Sequence, residues 1–108
     1  AVDVGIAVNP WNVEHQVKGA IAFGMTAALY GAIDFENGRV VQSNFHDYRM
    51  LRMHEMPEID VHIIRSREAP TGIGEPGVPP AAPAMANAKL ALTGEPTFRL
   101  PFTHGRDA

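Results

Sequence analysis

The spacing of apolar and polar positions changes several times along this chain, and each change predicts an element. Residues 2–8, with Val2, Val4, Ile6, Ala7 and Val8, read as a mostly buried strand. Asn9 is a favourable helix N-cap, and Pro10 suits the first helical position, where a missing N–H costs nothing. From Val13 the apolar positions recur at Val17, Ile21, Met25 and Leu29, with Ala20, Gly24 and Ala28 filling in. That spacing predicts a helix ending at Gly31. Gly19 and Gly24 each lower its propensity by about 1 kcal/mol relative to alanine. They make sense where another backbone or a flat ligand packs tightly against the helix.

The period then shortens. Ile33 and Phe35 alternate with Asp34 and Glu36, Asn37-Gly38 supplies a two-residue type I′ turn, and Arg39–Phe45 returns as a β-hairpin. The mixed stretch His46–Pro57 reads as a loop crossing the surface. Ile59, Val61 and Ile63 alternate with Asp60 and His62, which predicts a strand with one buried face. A second helix follows from about Pro80 to Leu92, with a stripe at Ala81, Ala84, Met85, Ala88 and Leu92. Gly94 stands where a C-terminal glycine belongs. Phe98–Phe102 predicts a short final strand. The fold class is α/β (α+β): one domain over 1–108, with a mixed β-sheet, two principal helices, a hairpin and a Gly/Pro-rich loop.

Composition narrows the function. A chain of 108 residues with 45% hydrophobic and 19% charged residues is globular rather than disordered. Its net charge of −3 and scattered basic residues do not make a nucleic-acid footprint. The apolar run Ala20–Tyr30 is too short to span a bilayer. With no cysteine there is no disulfide, thiolate metal site or thiol nucleophile. The chain opens in a strand-like run without an initiator Met or signal peptide, which reads as a piece of a longer polypeptide or a processed subunit.

The candidate chemistry lies in the loop Thr71–Pro80, which holds three glycines, three prolines and a single acid, Glu75. Glycine permits close backbone approach and proline fixes φ, so the loop is stiff and sharply shaped. Gly72-x-Gly74-x-x-Gly77 is a literal G-x-G-x-x-G string, but the mechanics of dinucleotide binding are missing. The preceding strand ends too early, Glu75 repels phosphate, and Pro76, Pro79 and Pro80 remove backbone donors. For Glu75, residue type and spacing leave two readings open. One is an exposed turn acid favouring the positive end of the next helix. The other is a general base, which requires a rigid, partly desolvated carboxylate.

Neither the histidines nor the methionines suggest a site. His46, His54 and His62 recur every eight residues, a spacing that matches no common metal motif, and His104 lies in the tail. Met50, Met53, Met56 and Met85 read as core or interface filler.

Taken in order, the motifs resemble those of one family. Val2-Asp3-Val4-Gly5, Asn9-Pro10, Gln16-Val17-Lys18-Gly19 and Gly74-Glu75-Pro76-Gly77 are similar to strings in the C-terminal part of the molybdenum-binding subunit of the xanthine dehydrogenase family. Ala28-Leu29-Tyr30-Gly31 and Gln42-Ser43-Asn44-Phe45-His46-Asp47-Tyr48 look like its branch of isoquinoline 1-oxidoreductase β subunits and related bacterial aldehyde dehydrogenases.

The resemblance implies a molybdenum hydroxylase that hydroxylates an N-heteroaromatic carbon or oxidises an aldehyde, with water as oxygen source. It implies Glu75 as the base acting on Mo–OH, Gln16 hydrogen-bonding the pterin cofactor, and Gly74 letting the backbone approach the metal's ligands. No residue of this chain is implied as a direct metal ligand. The cofactor would be a molybdenum–pterin, the cytosine dinucleotide being one of its forms, with iron–sulfur clusters on a partner subunit. Lys18 departs from the family's usual glutamate, and Thr71 stands where some relatives carry lysine.

The family's other cofactor contacts lie outside these residues, so the chain alone is expected to be inactive and to self-associate. The compartment stays open between bacterial cytoplasm and periplasm; a twin-arginine signal, common in related members, would lie upstream of Ala1. The competing class is a non-catalytic interaction or scaffold module of the same fold, with Glu75 a turn acid.

Overall fold

The computed structural model describes residues 1–103. Its backbone is helix α1 (Pro10–Leu29), a hairpin of β1 (Phe35–Glu36) and β2 (Arg39–Val40), a 3₁₀ turn at Met53–Glu55, and helix α2 (Ala81–Thr93).

Helix α1 begins as its sequence dictates. The Asn9 side chain accepts from the Asn12 N–H at 3.1 Å, and Pro10 takes the first helical position. At the other end Tyr30 and Gly31 donate back to the Thr26 carbonyl. Val13, Val17, Ala20, Gly24 and Ala28 are buried, whereas Ile21, Met25 and Leu29 are half-buried. Helix α2 ends at Gly94, whose φ of 73° is left-handed and whose N–H donates to the Leu90 carbonyl at 2.8 Å.

The hairpin forms at the Asn37-Gly38 turn, with φ of 50° and 76° at the two positions. It pairs Phe35 with Val40 and Glu36 with Arg39, so its strands are two residues long rather than extending to Phe45. The two other expected strands do not form as ladders. Residues 2–8 and 59–63 meet at a single parallel bridge between Val2 and Ile63. Beyond it, Ile6 N–H donates to the Glu68 carbonyl and Thr71 N–H to that of Val4. Alternation does survive as burial: Ile59, Val61 and Ile63 are half-buried while Asp60 and His62 are exposed. Phe98–Phe102 is also not a strand; Phe102 N–H donates to the Ala28 carbonyl, tucking this segment under the end of α1.

The loop His46–Pro57 crosses the surface as expected and is pinned to α1. Leu51 N–H donates to the buried Thr26 hydroxyl at 3.3 Å, and Tyr30 OH donates to Glu55 Oε1 at 2.6 Å.

The core is thin. Val4, Val13, Val17, Ala20, Ala28 and Ala81 are its buried apolar residues, all of them small, and among the described residues no large side chain is fully buried. Leu92, on the expected stripe of α2, is 87% exposed, and Met53 is 93% exposed.

Candidate active site

The path of the Gly/Pro-rich loop is set at both ends. At its start, Thr71 N–H donates to the Val4 carbonyl at 2.9 Å. At its end, it lies directly on α1. A Cβ on Gly77 would stand 2.9 Å from Ala20 Cβ, and one on Gly24 would stand 2.7 Å from Ala81 Cβ and 2.8 Å from the Val78 carbonyl oxygen. Two glycines, one on each side, therefore permit the contact. Between these anchors the backbone makes consecutive turns, Val78 N–H to the Glu75 carbonyl at 2.9 Å and Ala81 N–H to the Val78 carbonyl at 3.2 Å. The rigidity expected of this loop is thus present as hydrogen bonds and backbone contact.

The result is an open cleft of about 440 Å³ between α1 and the loop. One wall is the helix face carrying His15, Gln16, Gly19, Ala20 and Phe23; the other is Gly74, Glu75 and Val78. The three residues singled out in the sequence, Gln16, Gly74 and Glu75, are far apart along the chain and line the same cleft. Glu75 and Gln16 are exposed, and Gly74 has open space where a side chain would be. The described residues do not supply the partial desolvation that a general base needs. Lys18 points its charge elsewhere, into an ion pair with Glu14 one turn back at 2.5 Å.

His15, Phe23, Gly19, Ala20 and Val78 were not singled out as site residues. The signal for three of them was available: Gly19, Ala20 and Phe23 stand at i+3, i+4 and i+7 from Gln16, on one face of a helix. His15 Nδ1 lies 2.8 Å from the Trp11 carbonyl oxygen. A carbonyl only accepts, so Nδ1 carries the proton and Nε2 of the neutral ring is left as an acceptor.

The arrangement suits a flat, polar ligand. Gly19 and Gly74 place no side chain in its way, the Gln16 amide offers donors and an acceptor, and Glu75 offers a carboxylate. A second, wholly different groove of about 530 Å³ lies between α1 and α2. Its lining, including Ile21, Met25, Ala84, Met85 and Ala88, carries no ionisable side chain and so no acid–base chemistry. His46, His54 and His62 are exposed, and among the described residues no three His, Asp or Glu side chains converge on a metal-sized point. His104 lies outside the described residues.

Comparison with known proteins supports the motif reading. A family described as "Molybdopterin cofactor-binding domain" matches residues 1–57, the half that contains α1. The chain is 39% identical over 101 residues to isoquinoline 1-oxidoreductase subunit beta of Brevundimonas diminuta, covering 94% of this chain and 13% of that protein. It is 36% identical over 93 residues to the membrane-bound aldehyde dehydrogenase (pyrroloquinoline-quinone) of Gluconacetobacter polyoxogenes, covering 86% of this chain and 12% of that one. The fold matches the crystal structure of quinoline 2-oxidoreductase from Pseudomonas putida 86 with a TM-score of 0.79 at 24% identity, over 92% of this chain and 14% of the other. The chain therefore spans about an eighth of the length of these relatives.

Proposed function

The chain belongs to the molybdopterin cofactor-binding domains of the xanthine dehydrogenase family, and on that premise we propose that it carries the base-bearing wall of a molybdenum hydroxylase active site. Residues 1–108 form one domain in the C-terminal part of the molybdenum-binding subunit. The complete assembly includes the rest of that subunit and an iron–sulfur partner. It hydroxylates an N-heteroaromatic carbon or oxidises an aldehyde, with water as oxygen source. Relatives named for isoquinoline and for aldehyde support those two substrate classes.

One observation carries this reading: Gln16 from the first half of α1 and Gly74-Glu75 from the distant loop line a single cleft. When bound, the molybdenum–pterin group supplies the two-electron redox chemistry. The chain's own residues do the rest. Gln16, on the second turn of α1, would hold the pterin edge through its amide N–H. Gly74 lets the loop backbone come close. Glu75, on a backbone fixed by the turns that follow it, would take the proton from the water-derived oxygen as that oxygen bonds to the substrate carbon, the carbon's hydrogen and its bonding electron pair leaving to the bound group. The remainder of the subunit covers Glu75 and supplies the desolvation that tunes a carboxylate toward working pH.

Glu75→Gln in the complete enzyme tests this. It keeps the shape of the loop while removing the base. Turnover is expected to fall at least ~100-fold, the usual contribution of a general base, with molybdenum content unchanged. Unaltered turnover would overturn the assignment and leave Glu75 as a turn acid on a scaffold.

A further inference from the structure

Two glycines interrupt α1, and only one is explained by the fold. Gly24 is buried, and a side chain there would collide with Ala81 and Val78. Gly19 is exposed, and a Cβ built on it meets nothing within 4 Å. Glycine weakens a helix relative to alanine. At Gly24 that cost accompanies tight packing; at Gly19 nothing in this chain accompanies it.

Gly19 lies in the middle of the helix wall of the cleft. Gln16 stands one turn before it and Phe23 one turn after, with Ala20 between them. The floor from Gln16 to Phe23 is thus bare backbone and one methyl group, and it runs about 10 Å along the helix. Phe23 closes one end with a phenyl ring that is 64% exposed. This phenyl packs into no core of this chain, and it offers a flat face and an edge suited to another ring. At the opposite end are the Gln16 amide and the acceptor nitrogen of His15, groups that bond the edge of a heterocycle.

We propose that Gly19 and Phe23 form a stacking trough for a flat, fused heteroaromatic ring, with Gly19 as its floor and Phe23 as its end wall. This rests on the reading above that the cleft faces the cofactor and substrate. The pterin of the cofactor and an N-heteroaromatic substrate share that chemistry, whereas an aliphatic aldehyde gains nothing from either residue.

The test uses the complete subunit with its partner and three variants: Gly19→Ala, Gly19→Leu and Phe23→Ala. Three quantities are read: molybdenum and pterin content, the melting temperature of the cofactor-free subunit, and KM for a heteroaromatic substrate against an aliphatic aldehyde. The cofactor-free melting temperature of the Gly19 variants is expected at or above wild type, because the helix gains propensity. With Gly19→Leu, pterin content then falls by about tenfold or more, which places the cofactor ring in the trough. Alternatively, content is retained and KM rises about tenfold for the heteroaromatic substrate alone, which places the substrate there. Phe23→Ala shifts the same quantity as Gly19→Leu.

Full cofactor content with both KM values unchanged would overturn the proposal. So would a lowered cofactor-free melting temperature in the Gly19 variants, since another part of the protein would then pack on Gly19. Glu75→Gln reads turnover at full metal content, so failure of the base assignment and failure of the trough give different results.

Discussion

Glu55 and Glu75 are both loop carboxylates, and their surroundings set them apart. Glu55 accepts from Tyr30 OH at 2.6 Å, from Arg49 at 2.7 Å and from the Arg52 N–H at 2.8 Å, while Arg49 also lies 3.9 Å from the centre of the Tyr30 ring. The Tyr30 hydrogen bond first, then the Arg52 N–H and Arg49, hold its carboxyl down at about 2 against an ordinary 4.5. The same contact raises the Tyr30 phenol. Because the folded value is the lower one, the stabilisation is complete above about pH 4.5 and is lost as pH falls toward 2. Glu55→Gln should therefore lower the melting temperature at neutral pH, with the gap to wild type closing as pH falls through that window. A gap that is constant with pH would show that the ion cluster does not form. Glu75 has been left available instead, its carboxylate exposed at a cleft. Glu75, Gln16 and Gly74 could be picked out from motif strings, and the loop's stiffness from its prolines. Phe23 and His15 went unnoticed because their significance depends on which face of α1 the loop crosses, and that follows from Gly24 meeting Val78 and Ala81 while Gly77 meets Ala20.

At the scale of elements, the two α1 glycines make opposite predictions. Overpacking a close contact costs about 1–3 kcal/mol, against about 1 kcal/mol gained by replacing a helical glycine. At Gly24 one of the atoms in the way is a backbone carbonyl oxygen, which has no rotamer to escape into. Gly24→Ala should therefore lower the melting temperature of the cofactor-free subunit, and a rise would refute the packing described between α1 and residues 78–81. The helices were legible because their signals are local: Asn9-Pro10 at one start, Gly94 at one end, and apolar spacing between. The hairpin turn was legible for the same reason. The strand at 59–63 was over-read because alternation reports a buried face, not a hydrogen-bonded neighbour, and the one at 2–8 because an apolar run is not by itself a buried one: Ile6 and Val8 are exposed. Gly5 shows why the first cannot run on as a strand: its φ is 68°, and a Cβ there would sit 2.2 Å from the Ala69 carbonyl oxygen.

At the scale of the whole molecule, the chain is open. Its radius of gyration is 16.8 Å, where a compact chain of this length would have about 13 Å. The groove between α1 and α2, and exposed Leu92 and Phe98, leave apolar surface that a closed domain would bury. The isolated chain of 108 residues should accordingly self-associate and bind a hydrophobic dye; a dye-free monomer in solution would contradict this. No helix among the described residues is long and apolar enough to cross a membrane.

Whether Glu75 acts in the chemical step is decided by a single-turnover experiment. Wild-type and Glu75→Gln assemblies with equal molybdenum content would be mixed rapidly with substrate in the absence of an electron acceptor, and the rate of enzyme reduction followed. With Glu75 as the base, reduction should slow by the same factor as turnover, at least ~100-fold. Reduction at the wild-type rate would contradict it, because the proton transfer assigned to this loop would then be made elsewhere.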